Sequence, residues 1–202
     1  MKPKFSTLII LTLVVAAILT PFALSGGYIP MMRDRNFNAL VLLQTDLYKL
    51  ITGFAVLALV LFELVLAVRK RGRRWKISVP GSILFWRSLH IFVGVGLVAA
   101  VLLHTGGAIG DNFNAIFLWV FFGVVLSALI GVVAETGILE SSQKYFSLIP
   151  DRWPILAKRF PQISKGPLIR KLRFFWLSTH IILVSMFCVM LGFHIFLAFY
   201  FQ

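Results

Sequence analysis

The chain of 202 residues holds four histidines, and all four lie inside long apolar runs. His90 and His104 share one run, His180 and His194 share another, and each pair is 14 residues apart. On an α-helix, 14 residues rise about 21 Å and return to within about 40° of the starting face. Each helix therefore carries two imidazoles on one side, one toward each end. Imidazole is the commonest metal-binding side chain. An ionisable group within a membrane span is a functional candidate by default. One further apolar run separates the two, so they point the same way. His90 and His180 then fall at one depth, His104 and His194 at the other. Two such helices facing each other make two His–His pairs stacked about 21 Å apart. That arrangement suits two six-coordinate haems, each clamped by one imidazole from each helix. A single histidine in an apolar helix is most simply a packed, hydrogen-bonded residue. Four at matched depth and spacing on non-adjacent helices are not explained that way.

The elements that must position these residues are membrane helices. Hydrophobic residues make up 59% of the chain, 20 residues are phenylalanine, and only 13% are charged. A soluble globular chain has about 45–50% apolar and about 25% charged residues. This excludes a water-soluble enzyme and a disordered tail. A spanning helix needs roughly 20 mostly apolar residues. Five runs qualify: residues 5–24, 48–68, 84–107, 113–134 and 174–201. The expected fold is an all-α integral membrane protein with five transmembrane helices, four of them forming a haem-binding bundle over residues 48–202. Residues 1–47 then supply an N-terminal transmembrane helix and an outer loop. That first run also reads as a signal peptide or anchor, through Lys2, Lys4 and Phe22-Ala23-Leu24-Ser25. Turn and loop residues mark the breaks: Ser25-Gly26-Gly27, Gly106-Gly107, Pro150, Pro154, Pro161 and Pro167. The single cysteine, Cys188, reads as a small packing residue. No C-x-x-C-H is present, so the haems are expected to be type b and held non-covalently.

The net charge is +13. In a soluble domain that would suggest nucleic acid. Here the cations cluster between apolar runs, so membrane orientation accounts for them and no nucleic-acid partner is expected. All 20 basic residues except Arg33, Arg35 and Lys49 fall at the N-terminus or around two connections, between runs two and three and between runs four and five. Such a bias places the N-terminus and both basic loops in the cytoplasm and the C-terminus outward, across what is expected to be a bacterial cytoplasmic membrane. Residues 140–173 are long enough for an amphipathic surface helix, with Tyr145, Phe146, Trp153 and Phe160 interleaved among bases. They would equally dock an acidic partner subunit.

Arg87-Ser88-Leu89-His90, thirteen further residues and His104 resemble the first haem helix of cytochrome b from the quinol:cytochrome c complexes. That family shows R-x-x-H, thirteen residues and a second histidine. His180 and His194 have a spacing similar to its other haem helix. The helix order is also similar to the ferric-reductase and NADPH-oxidase membrane domains, which carry His pairs on their third and fifth helices. The resemblance covers most of residues 48–201. It implies that Arg87 pairs with a haem propionate, although a cation snorkelling to the membrane edge fits the position too. Arg170 and Arg173 stand in a similar place before His180. The chain departs from these families in two ways. It has no Pro-Glu-Trp-Tyr, which marks the outer quinol site of cytochrome b, and no flavin or nicotinamide domain is expected after the fifth run. Electrons are then expected from a quinol in the bilayer or from a separate subunit.

Other residues read as support. Gly94, one turn from His90, either lets a porphyrin approach the backbone or serves close helix packing. Thr105, Ser178 and Thr179 lie near the ligands and either tune an imidazole or bond back to a helix carbonyl. Leu97, Val101, Phe187 and Leu191 fall between the two histidine levels as an apolar spacer. Glu63 is either a buried carboxyl for proton or quinone chemistry or a carboxylate snorkelling toward Arg69 or Lys70. Glu135 is expected at the interface.

The expected function is transmembrane electron transfer through two bis-histidine haems b, as the membrane cytochrome b subunit of a quinone-linked oxidoreductase. Its partners would be membrane lipid, quinone or quinol, and a separate redox subunit or cytochrome. Bis-histidine iron has no open position, so the haems should relay electrons, and bond-making catalysis need not occur in this chain. The alternatives are a stand-alone reductase of ferric iron or oxygen fed by a separate flavoprotein, a haem-stabilised membrane anchor without an electron-transfer role, and a metal or haem transporter.

Overall fold

Inside a bilayer every backbone N–H and C=O must be satisfied within the protein, and a run of apolar residues does so as an α-helix. The computed structural model describes residues 3–35, 38–43, 45–71, 79–146 and 162–200. Five of its helices are long and apolar enough to cross a membrane. These are α1 (Phe5–Asp34), α3 (Asp46–Arg71), α4 (Ile83–Thr105), α5 (Asn112–Glu140) and α6 (Lys165–Tyr200), with a short α2 (Asn38–Leu43) after the first. Among the described residues the only strands are β1 (Tyr145–Phe146) and β2 (Ile163–Ser164), an antiparallel pair. Large apolar side chains stay exposed on every long helix, among them Leu13, Phe54, Leu103, Ile130 and Phe174. In water such surface invites aggregation; in a bilayer it meets acyl chains. The chain is an all-α integral membrane protein.

It divides into two compact units, Met1–Pro3 with Ile9–Leu118, and Lys4–Leu8 with Trp119–Gln202. The first unit is organised by the α3–α4 hairpin. Arg69 donates to the carbonyls of Val79, Pro80 and Gly81, and the Trp86 indole donates to Pro80 O at 2.7 Å. At the other end the Tyr48 hydroxyl donates to Leu103 O at 2.9 Å. These contacts fix the antiparallel register of the two helices. Ser82 caps the start of α4 by accepting the Phe85 N–H at 3.1 Å. Gly106, at φ 63°, ends it in the left-handed conformation that disfavours a side chain.

The second unit is organised by α5 and α6. Phe121 meets Phe187 with ring centroids 5.7 Å apart, and Leu183 lies against Gly123. Arg173 on α6 pairs with Glu135 on α5. Lys165 holds the carbonyls of Leu139 and Ser141 at 2.9 and 2.8 Å, beside the β1–β2 pair. The Glu140 carboxylate accepts the Phe5 N–H at 3.3 Å, satisfying one of the open donors at the start of α1.

Three expectations are corrected. Ser25-Gly26-Gly27 does not break the first helix, which runs on to Asp34. A helical glycine costs about 1 kcal/mol, whereas backbone groups left unpaired in a bilayer cost several kcal/mol each. Pro167 is not a break either. It sits in the first turn of α6, where its missing N–H costs nothing. Tyr145 and Phe146 are not part of a surface helix but of the short strand pair. Trp153, Phe160, Pro150, Pro154, Pro161 and Lys2 lie outside the described residues.

Candidate functional site

In the antiparallel α3–α4 pair, a residue early in α3 meets one late in α4. Thr52 and Glu63 are 11 residues apart, about three turns, and so share one face of α3. Thr52 meets His104 and Glu63 meets His90. The α5–α6 pair repeats the design, with Ser127 meeting His180.

At His104 and His180 a hydroxyl committed elsewhere points to the nitrogen that carries a proton. Thr52 Oγ1 lies 2.9 Å from His104 Nδ1 and donates to Tyr48 O at 2.7 Å. A hydroxyl has one proton to give, and a carbonyl can only accept. The proton goes to Tyr48, so Thr52 accepts from the imidazole. His104 is therefore the Nδ1–H tautomer, with its lone pair on Nε2. Ser127 repeats the logic: it donates to Val124 O at 2.8 Å and stands 2.9 Å from His180 Nδ1. At His90, Nδ1 stands in ion-pair contact with the Glu63 carboxylate. His104 and His180 thus each present Nδ1–H to a hydroxyl of the neighbouring helix, and His90 turns Nδ1 to a carboxylate. His194 is half-buried on α6, 14 residues beyond His180.

Small residues make room around these rings. A Cβ on Gly53 would stand 3.3 Å from His104 Cε1. The Trp176 indole lies against Gly131 and tilts toward His180, with ring centroids 6.4 Å apart. At Gly94 a Cβ would meet nothing within 4 Å, so the backbone beside His90 borders open space. Arg87, a turn before His90, is half-buried and makes no ion pair among the described residues. Leu97, Val101 and Phe187 are buried, and Leu191 and Cys188 are half-buried.

The remaining candidates lie in the two helix pairs. Glu135 is 4% exposed and binds Arg173 through two contacts of 2.5 and 3.4 Å. α5 continues beyond it to Glu140, and the guanidinium compensates its charge. Arg173 is committed to that carboxylate, and Arg170 is exposed. Glu63 does not reach toward Arg69, which is turned to the carbonyls of the α3–α4 connection. Thr105 and Thr179 bond back to Val101 O and Phe175 O at 2.8 and 3.1 Å; Ser178 is half-buried. The hydroxyls that engage histidines are Thr52 and Ser127, on other helices, and the sequence reading passed over both. Their signal was present as isolated hydroxyls within apolar runs.

The donor set suits a haem iron. A ligating histidine gives one ring nitrogen to the metal, while the other donates to an acceptor that fixes tautomer and orientation. Imidazoles whose Nδ1 faces an oxygen of another helix, and an open stretch of backbone at Gly94, meet that requirement. The chain matches no protein-family model, no curated protein and no solved structure.

Proposed function

We propose that this chain is a membrane cytochrome b that conducts electrons across the bilayer through two haems, as the membrane subunit of a quinone-linked oxidoreductase. The supporting observation is that Nδ1 of His104, His180 and His90 each meets an oxygen of a neighbouring helix, from Thr52, Ser127 and Glu63, as the second ring nitrogen of a ligating histidine does.

In this reading His90 and His180 ligate one haem, and His104 and His194 the other, as their matched spacing suggests. The bound haem supplies one-electron redox chemistry. The chain's own residues bind, orient and exclude water. Thr52, Ser127 and Glu63 hold three of the imidazoles in the ligating orientation. Arg87 offers a half-buried cation to a propionate. Leu97 and Val101 on α4 and Phe187 on α6 are buried apolar side chains between the two histidine levels of their own helices. Two histidines to each haem would leave its iron no open position, so the site would relay electrons and would not bind oxygen. The basic connections face the cytoplasm of a bacterial membrane. Electrons come from a quinol in the bilayer or a separate redox subunit and leave to a partner on the other side.

The test is a dithionite-reduced minus air-oxidised visible spectrum of the purified protein, with haem counted per chain. Sharp low-spin b-type bands and two haems per chain are expected, followed by reduction of those bands on adding a quinol. A protein that stays haem-free where a control cytochrome loads would overturn the proposal. Haem that is bound but inert to quinol and to any flavoprotein donor would reduce the chain to an anchor.

A further inference from the structure

Glu63 differs in charge from the other residues that hold histidines. His104 and His180 rest on the hydroxyls of Thr52 and Ser127 at 2.9 Å. His90 rests on a carboxylate. The Glu63 side chain is 12% exposed. Its second oxygen, Oε1, is buried and has no hydrogen-bond partner among the described residues. The cation nearest in sequence on the same helix, Arg69, is engaged by the carbonyls of Val79, Pro80 and Gly81. His90 is thus the group on which the Glu63 charge acts.

A carboxylate set against the far nitrogen of a ligating imidazole makes it a more basic ligand. A more basic ligand favours ferric over ferrous iron and lowers the reduction potential, and the groups that touch the ligands are one of the levers a protein has on haem. Resting on the haem reading above, we infer that Glu63 divides the two haems in potential, with the site at His90 the lower. Glu63 is a positioning residue that acts through His90. At equilibrium an electron shared between the two sites resides on the His104 side.

The experiment is a spectroelectrochemical titration of the full-length, haem-loaded protein, with haem per chain counted first. The unaltered protein should titrate in two waves. Glu63→Gln keeps the size of the side chain and an accepting oxygen but removes the charge. It should keep both haems, raise the lower wave and leave the upper one in place. The expected change in electron partition is at least about tenfold, equivalent to 59 mV for a one-electron couple. A purely structural role would not move a potential in a protein that retains its haem. Two haems with both waves unmoved in Glu63→Gln, or a single wave in the unaltered protein, would overturn the role of Glu63 and leave the haem reading standing. Fewer than two haems in the unaltered protein would overturn the two-haem reading itself. If Glu63→Gln loses its haem, Glu63→Asp decides. Two haems with a retained low-potential wave support the role of the carboxylate. Loss of haem in both variants overturns it, because the side chain is then needed for folding.

Discussion

Thr52→Val removes one oxygen and almost nothing else. The branched shape is kept, and the hydroxyl between His104 Nδ1 and Tyr48 O becomes a methyl group. His104, half-buried in the last turn of α4, is left with its Nδ1–H facing carbon. A buried donor without an acceptor costs about 1–3 kcal/mol, or about 5- to 150-fold in a binding constant. Two effects offset this only weakly. Valine and threonine have similar helix propensities, and the added methyl gains less than about 1 kcal/mol of burial. If the chain carries two haems as proposed, the net loss should fall on the one at His104 and spare the one at His90. Transfer of haem to an excess of apomyoglobin reads this out. Two phases are expected, one accelerated in Thr52→Val and one unchanged, with Thr52→Ser restoring wild-type behaviour. Wild-type release in both phases, or a serine variant that behaves like valine, would refute the idea that this hydroxyl orients a ligand.

Further predictions follow from the same contacts. Gly94→Leu places a side chain where nothing stands within 4 Å, so circular dichroism should show unchanged helix content while bound haem drops from two per chain toward one; two retained haems would remove Gly94 from the site. Gly131→Ala drives a Cβ into the Trp176 indole and should lower the Tm and perturb Trp fluorescence. Gly26→Ala meets no neighbour in α1 and should stabilise by about 0.5–1 kcal/mol, so the two alanine variants should move thermal unfolding in opposite directions. Arg173→Ala strands the Glu135 carboxylate. Because Arg173 is 51% exposed, the loss should be about 1.5–3 kcal/mol, below the 3–5 kcal/mol of a fully buried pair; removing both partners with Glu135→Leu and Arg173→Leu should recover most of it in detergent unfolding.

What could be read from the sequence was whatever a single helix determines. The five spans, the left-handed stop at Gly106 and the 14-residue histidine spacing all belong to one segment at a time. The two-hydroxyl, one-carboxylate arrangement belongs to pairs of helices. It depends on register, which Arg69, Trp86 and Tyr48 set through main-chain carbonyls, and carbonyls carry no sequence signal. Thr105 and Thr179 drew attention by standing next to histidines in sequence, yet helix geometry turns them back onto their own carbonyls. Ser25-Gly26-Gly27 misled for a different reason. Its turn propensity is measured against water, which rewards an exposed backbone, and a bilayer does not.

The hairpin that brings Glu63 to His90 also bears on how the protein enters its membrane. An ionised side chain near the centre of a lone spanning helix costs about 2.5–3.5 kcal/mol on insertion scales. α3 carries Glu63 well inside its span, and α4 carries the imidazole that meets it. Entering separately, each helix would expose a polar group to lipid; entering together, they cover one another. The Arg69 clasp ties the end of α3 to the carbonyls that precede α4. A hairpin held in this way keeps the carboxylate and the imidazole turned to each other and away from lipid.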